Sequence, residues 1–219
     1  MSSRQHYLDK LADLQRELLR MGCSMEEAVK KAITALVNHD AELAQEVIDG
    51  DDDMDELLVA IESQCVKLIA TEQPVAKDLR LIFTALKIST DLERMADYAV
   101  DIAKIAIRLA DEVYIKPLID IPRMADLAID MVQDSLEAYV KQDASTAEEI
   151  SRRDDMIDGL YKQIFRELLT YMIEDPKNIN QATYFIFVAR SLERIGDHAT
   201  NVCEWIIYLV TGERKDLNN

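Results

Sequence analysis

Apolar and small residues in the first forty positions recur in alternating steps of four and three: Tyr7, Leu11, Leu14, Leu18, Met21, Met25, Ala28, Ala32 and Ala35. A seam with that period marks a long helix packed nearly parallel to a neighbour, so the spacing predicts one helix through this stretch. A second helix is predicted over about 40–70, interrupted or bent where Gly50 meets Asp51, Asp52 and Asp53, acids that equally suit a new helix start. A third is predicted from Pro74 to about 111, with proline at its first position and Asp78 in its first turn. Within it Ala85, Ile88, Leu92, Met95, Ala99, Ile102, Ala106 and Leu109 again step by three and four.

That seam returns 100 residues later as Phe185, Val188, Leu192, Ile195, Ala199, Val202, Ile206 and Leu209. The segment DLERMADYAVDI at 91–102 returns with it, as SLERIGDHATNV at 191–202. The preceding segments correspond at a spacing of 103: Val29, Ile33, Val37, Asp40 and Ala44 answer to Val132, Leu136, Val140, Asp143 and Ala147. Met54, Asp55 and Leu57 answer in the same way to Ile157, Asp158 and Leu160. A period this long is a whole folded unit repeated, because about 100 residues can enclose their own core. The chain is therefore predicted to be all-α, two tandem and similar three-helix bundles spanning 1–113 and 114–219. The stretch Glu112 to Pro122, with two prolines, reads as their connector. Helices of roughly 30 residues would be about 45 Å long.

Each repeat carries polar oxygens at i, i+4 and i+8: Glu93, Asp97 and Asp101, then Glu193, Asp197 and Asn201. Successive members advance by 40° around a helix, so all three share a strip beside the apolar seam. Like charges four apart repel, and a stripe of them suits a cation. Oxygen donors select a hard divalent or iron-type ion, Mg²⁺, Mn²⁺ or Fe, over zinc, which favours His and Cys. The Glu-x-x-His pattern of di-iron helix bundles is absent. The same charges have a simpler use: Arg94 with Asp97, Arg194 with Asp197 and Lys104 with Asp101 are spaced to neutralise one another on the helix surface.

Composition narrows the partners. With 42 Asp and Glu against 25 Lys and Arg, the formal charge of −17 repels nucleic acid and anionic membrane surfaces and suits cations or basic protein surfaces. No apolar run approaches the roughly 18–20 residues that cross a bilayer, and the N-terminal MSSRQHYLDK has no hydrophobic signal core, so a cytoplasmic location is expected. Cys23, Cys65 and Cys203 are odd in number and lack CxxC spacing, which argues against disulfides or zinc and predicts buried thiols. Gly-rich phosphate loops, GxSxG and paired Cys/His motifs are missing, and no nucleophile stands out.

QPVAKDLR at 73–80, DLERMADYAVDI at 91–102, YMIEDPKNI at 171–179 and ARSLERIGDHATNVCEWI at 189–206 resemble the PhoU family of phosphate-uptake regulators. The similarity runs from about Leu8 to Gly212 and includes the two-repeat layout. The resemblance implies an all-α protein of two three-helix bundles that forms homodimers. It also implies a link between the ATPase subunit of a phosphate ABC transporter and a membrane sensor histidine kinase, repressing the starvation response when phosphate is plentiful. Some members bind metal clusters through E-x-x-x-D-x-x-x-D/N repeats, which map onto Glu93, Asp97, Asp101 and Glu193, Asp197, Asn201. Asn201 departs from an all-acid pattern and lowers the charge of the second copy.

Three functions follow as expectations. The first is a non-enzymatic adaptor that binds transporter ATPase and kinase, with no membrane insertion and no nucleic acid. The second is a metal-cluster phosphohydrolase, which requires two metals and an open coordination position. The third is a passive helical scaffold whose acids are solvated charge.

Overall fold

The computed structural model describes the backbone of residues 3–217 and the side chains of 5–217. The first two residues of the N-terminal stretch MSSRQHYLDK lie outside that range. Helices α1 (Ser3–Asn38), α2 (Ala41–Asp49), α3 (Asp51–Glu72) and α4 (Lys77–Leu109) form the first half. Helices α5 (Asp120–Lys141), α6 (Ala144–Ser151), α7 (Asp154–Glu174) and α8 (Ile179–Thr211) form the second, with a 3₁₀ turn, Pro176–Asn178, before α8. Among the described residues there is no strand.

Each half is an up-down-up bundle. Lys10 near the start of α1 meets Glu72 at the end of α3 at 2.6 Å, and Tyr114, just beyond α4, donates to Leu36 O at the end of α1 at 2.6 Å. The predicted second helix is two helices in both halves. Its entry turn is duplicated: His39 and Gln142 take left-handed φ of 58° and 52°, and the next residue caps the new helix. Asp40 accepts from Leu43 N, and Asp143 accepts from Ser145 N and Thr146 N, so an orphan amide of each helix start is satisfied. Gly50 separates α2 from α3, as its place in the sequence suggests.

Helix α4 starts three residues later than predicted. Gln73 and Ala76 adopt left-handed φ of 49° and 45°, so Pro74 lies in a turn between them, and α4 opens at Lys77 with Asp78 in its first turn. The connector between the halves is shorter than expected. Pro122 sits inside the first turn of α5, where a missing N–H costs nothing.

The two copies of the duplicated seam are buried throughout: Ala85 to Leu109 on α4 and Phe185 to Leu209 on α8. Along α1, Leu11, Leu14, Leu18, Met21, Met25, Ala32 and Ala35 are buried, while Tyr7 and Ala28 pack partly buried at its edge. Helices α4 and α8 also pack on each other and join the halves, as α1 and α5 do alongside them. The α4–α8 crossing is antiparallel: Arg80 Nε donates to Leu209 O at 3.2 Å, Asp91 meets His198, and Arg108 stacks on Tyr184 at the other end. A local two-fold axis therefore relates each residue of α4 to the one 100 positions on. Gly212 ends α8 at φ 80°, its amide donating to Tyr208 O at 2.8 Å.

Of the three cysteines, Cys65 and Cys203 are buried and Cys23 is exposed, contrary to the expectation of three buried thiols. Position 23 faces away from the Met21–Met25 seam of α1. Among the described residues, no helix is long and apolar enough to cross a membrane.

Candidate metal centres

The duplicated stripes lie at mid-length of α4 and α8, and in both halves the structure sets them against acids of a second helix. In the first half that helix is α3, whose first turn holds Asp51, one turn before Asp55. Burial raises the Glu93 carboxyl above its ordinary value; the charges of Asp97, Asp55 and Asp51 add to this, and Arg94 opposes it. Asp51 is likewise raised by burial, then by Asp97 and Asp55. The charges that act on Glu93 and Asp51 thus come from Asp55 and Asp97, which groups the four carboxylates at the α3–α4 contact.

The second half repeats the arrangement with Asp154 and Asp158 of α7 facing Glu193 and Asp197 of α8. Here burial is deeper. It lifts the Asp154 carboxyl to about 7, with the charges of Asp197, Asp158 and Glu193 behind it. Glu193 and Asp197 are both raised, chiefly by burial, with Arg194 pulling each the other way. Asp154 Oδ1 is buried and has no hydrogen-bond partner. Gly196 makes room for it, since a Cβ there would stand 2.6 Å from Asp154 Oδ1; Ala96 occupies the equivalent place in the first half.

The surface pairs anticipated from spacing are present. Arg94 reaches Asp97 at 3.1 Å and Glu93 at 3.6 Å, and Arg194 reaches Asp197 at 3.1 Å and Glu193 at 3.8 Å. In the second cluster Asp158 also pairs with Lys162 at 2.8 Å, and in both clusters the carboxylates outnumber the cations that meet them. The third member of each stripe has other partners. Asp101 is exposed, 3.9 Å from Lys104, and lines a groove beside Tyr98. Asn201 donates its amide to Asp91 Oδ1 at 3.4 Å. Residues Asp51, Asp55, Asp154 and Asp158 were not singled out in the sequence as site residues. Their signal was there, as an acid at i and i+4 recurring 103 residues on.

The donor set is all oxygen, as hard cations require. Among the described residues no three His, Cys, Asp or Glu side chains converge on one ion-sized point. The second cluster instead borders a cavity of about 470 Å³, lined by Asp154, Asp155, Asp158, Glu193 and Asp197 with Arg152 and Lys215 also on its walls. A water occupies about 30 Å³ of liquid, so hydrated ions fit this space. The buried, unpartnered Asp154 oxygen is the group a cation would satisfy.

The PhoU domain family matches residues 18–106 and 121–206 of the chain. A phosphate-specific transport system accessory protein PhoU homolog of Clostridium acetobutylicum is 46% identical over 218 residues, 99% of this chain and 100% of that protein. The crystal structure of PhoU from Pseudomonas aeruginosa superposes with a TM-score of 0.90 at 39% identity, covering 94% of this chain and 100% of that one. The phosphate transport system regulatory protein PhoU of Streptococcus pneumoniae superposes at 0.89 with 31% identity, covering 96% and 99%. With two matched domains and relatives that align over nearly its whole length, the chain belongs to the PhoU family.

Proposed function

We infer that this chain is a non-enzymatic regulator of phosphate uptake, an accessory protein of a phosphate-specific transport system. The observation that carries this reading is the end-to-end correspondence with relatives that bear that name. In the finer reading it couples the ATPase subunit of the phosphate transporter to a sensor histidine kinase and holds the kinase unstimulated while phosphate is plentiful. Long exposed helix faces and a charge of −17 favour basic protein surfaces as partners. Homodimer formation belongs to the same reading.

The acid clusters are its metal sites, taking a divalent or iron-type ion. Asp51, Asp55, Glu93 and Asp97 would hold one, and Asp154, Asp158, Glu193 and Asp197 the other. A bound cation supplies positive charge that offsets the carboxylate repulsion. The side chains themselves come from two helices in each half, so a filled site ties α3 to α4 and α7 to α8.

Affinity capture of the tagged protein from phosphate-replete cells is expected to recover the transporter ATPase and the kinase, and deletion to switch on the starvation genes in rich phosphate. Recovery of neither partner together with unchanged gene expression would overturn the reading.

A further inference from the structure

The two-fold relation between α4 and α8 gives the seam two equivalent grooves, and they are filled differently. In one, Trp205 lies on the seam with Lys87 Nζ 5.7 Å and Arg214 Cζ 4.7 Å from its ring centroid, an aromatic ring clasped by two cations. In the other, Ile105 stands where Trp205 stands. The groove there is open, about 580 Å³, within the roughly 300–1,000 Å³ range of small-molecule sites. Its walls carry Tyr98, Asp101, Lys104, Phe187, Arg190 and Arg194.

This groove is a cationic spot on a chain of charge −17. Lys104 is held by Asp101 at only 3.9 Å, Arg194 is shared with Glu193 and Asp197, and Arg190 has no ion pair within 4.0 Å among the described residues. Arg108, one turn beyond Lys104, extends the positive face toward Tyr184. Guanidinium and ammonium groups match phosphate oxygens. Exposed Phe187 and half-buried Tyr98 supply aromatic surface, and the Asp101 carboxylate accepts from hydroxyl or amino groups.

We propose that this groove binds a mononucleotide, its phosphate on Arg190 and its neighbouring cations and its base on the aromatic wall, filling the space that Trp205 fills in the other copy. A docked polypeptide is the poorer match. The depression runs between two helices whose backbone groups are already paired, so it offers an incoming chain no sheet edge to extend.

The test is isothermal titration of the full chain in EDTA, which keeps the carboxylate clusters from bridging to phosphate through a metal. AMP and ATP are expected to bind one per groove, with adenosine and inorganic phosphate each at least tenfold weaker. Arg190→Ala should weaken AMP at least tenfold. Ile105→Trp, which installs the ring of the other copy, should abolish binding while the circular dichroism spectrum and melting midpoint stay those of the parent chain. Should Ile105→Trp fail to fold, the exposed Arg190→Ala variant carries the test alone. Absence of nucleotide heat at millimolar concentration with folded protein, as expected if a polypeptide is the occupant, would overturn the proposal. So would phosphate binding as tightly as AMP, or AMP binding indifferent to both substitutions.

Discussion

Asp91 of α4 and His198 of α8 meet across the seam between the halves, with Asp91 Oδ1 2.8 Å from His198 Nδ1 and both side chains largely buried. Asn201 donates to the same oxygen, so one carboxylate serves two groups of the opposite half. Asp91→Ala leaves both without that acceptor, a loss of about 1–3 kcal/mol for buried polar groups. For a chain of this size that corresponds to a fall of roughly 2–4 °C in melting midpoint per kcal/mol. Asp91→Asn keeps an acceptor oxygen and should lose less. Thermal denaturation followed by circular dichroism checks both.

The carboxylate clusters make a prediction of opposite sign with and without metal. Glu93→Gln with Asp97→Asn removes two of four like charges, so chelator-treated protein should melt higher than the parent. Added Mn²⁺ should stabilise the variant less than the parent, and metal content by elemental analysis should fall by about half if the second cluster fills independently.

Gly196→Ala replaces a residue whose missing Cβ leaves space for Asp154. Alanine favours a helix by about 1 kcal/mol, but the new methyl would lie 2.6 Å from Asp154 Oδ1 and 3.0 Å from Ile157 Cδ1. Overpacking costs about 1–3 kcal/mol, which at least offsets the helix gain, and the side-chain end displaced first is the Asp154 carboxylate. Metal in the second cluster should fall and the first remain loaded, read by elemental analysis of Gly196→Ala against the parent.

Glu26 on α1 is buried, and its carboxyl is raised by that burial against the pull of Lys30 at 3.7 Å. A carboxyl raised in the folded state stabilises the fold relative to its charged form below the unfolded pKa. That advantage is lost as pH rises through the folded value. Glu26→Gln should therefore raise the melting midpoint at neutral pH, with the gain shrinking in acid. Melting curves of both proteins across this range decide it.

The thiols should separate by position. Burial pushes Cys65 and Cys203 up to about 12, while Cys23 is exposed. A thiol reagent at pH 8 should label one cysteine per folded chain and three after denaturation. Fast labelling of a second site in the native protein would contradict the packing around α3 or α8.

The helices were legible because burial has a period. Leu92, Ala99 and Ile102, and their partners 100 residues on, follow the seam so closely that both the bundles and their duplication are plain in the sequence. The ion pairs of Arg94 and Arg194 were legible for the same reason, being neighbours on a single helix. The cluster was not. Whether Asp55 faces Glu93 depends on how α3 is turned about its own axis against α4, which no local spacing fixes. The 40° drift per step that puts Glu93, Asp97 and Asp101 on one strip also carries the third of them away from α3, toward the groove beside Tyr98. Pro74 misled because proline fits a first helical position and a turn equally well. The left-handed backbone at Gln73 and Ala76 decided for the turn.

The antiparallel pairing of α4 with α8 makes this molecule, in effect, a symmetric dimer whose subunits share one gene. A true homodimer receives every substitution twice, once on either side of its axis. A fused pair can alter a single side, as glycine opposite Ala96 and tryptophan opposite Ile105 already attest, so matched surfaces are free to specialise without surrendering the interface that holds them together.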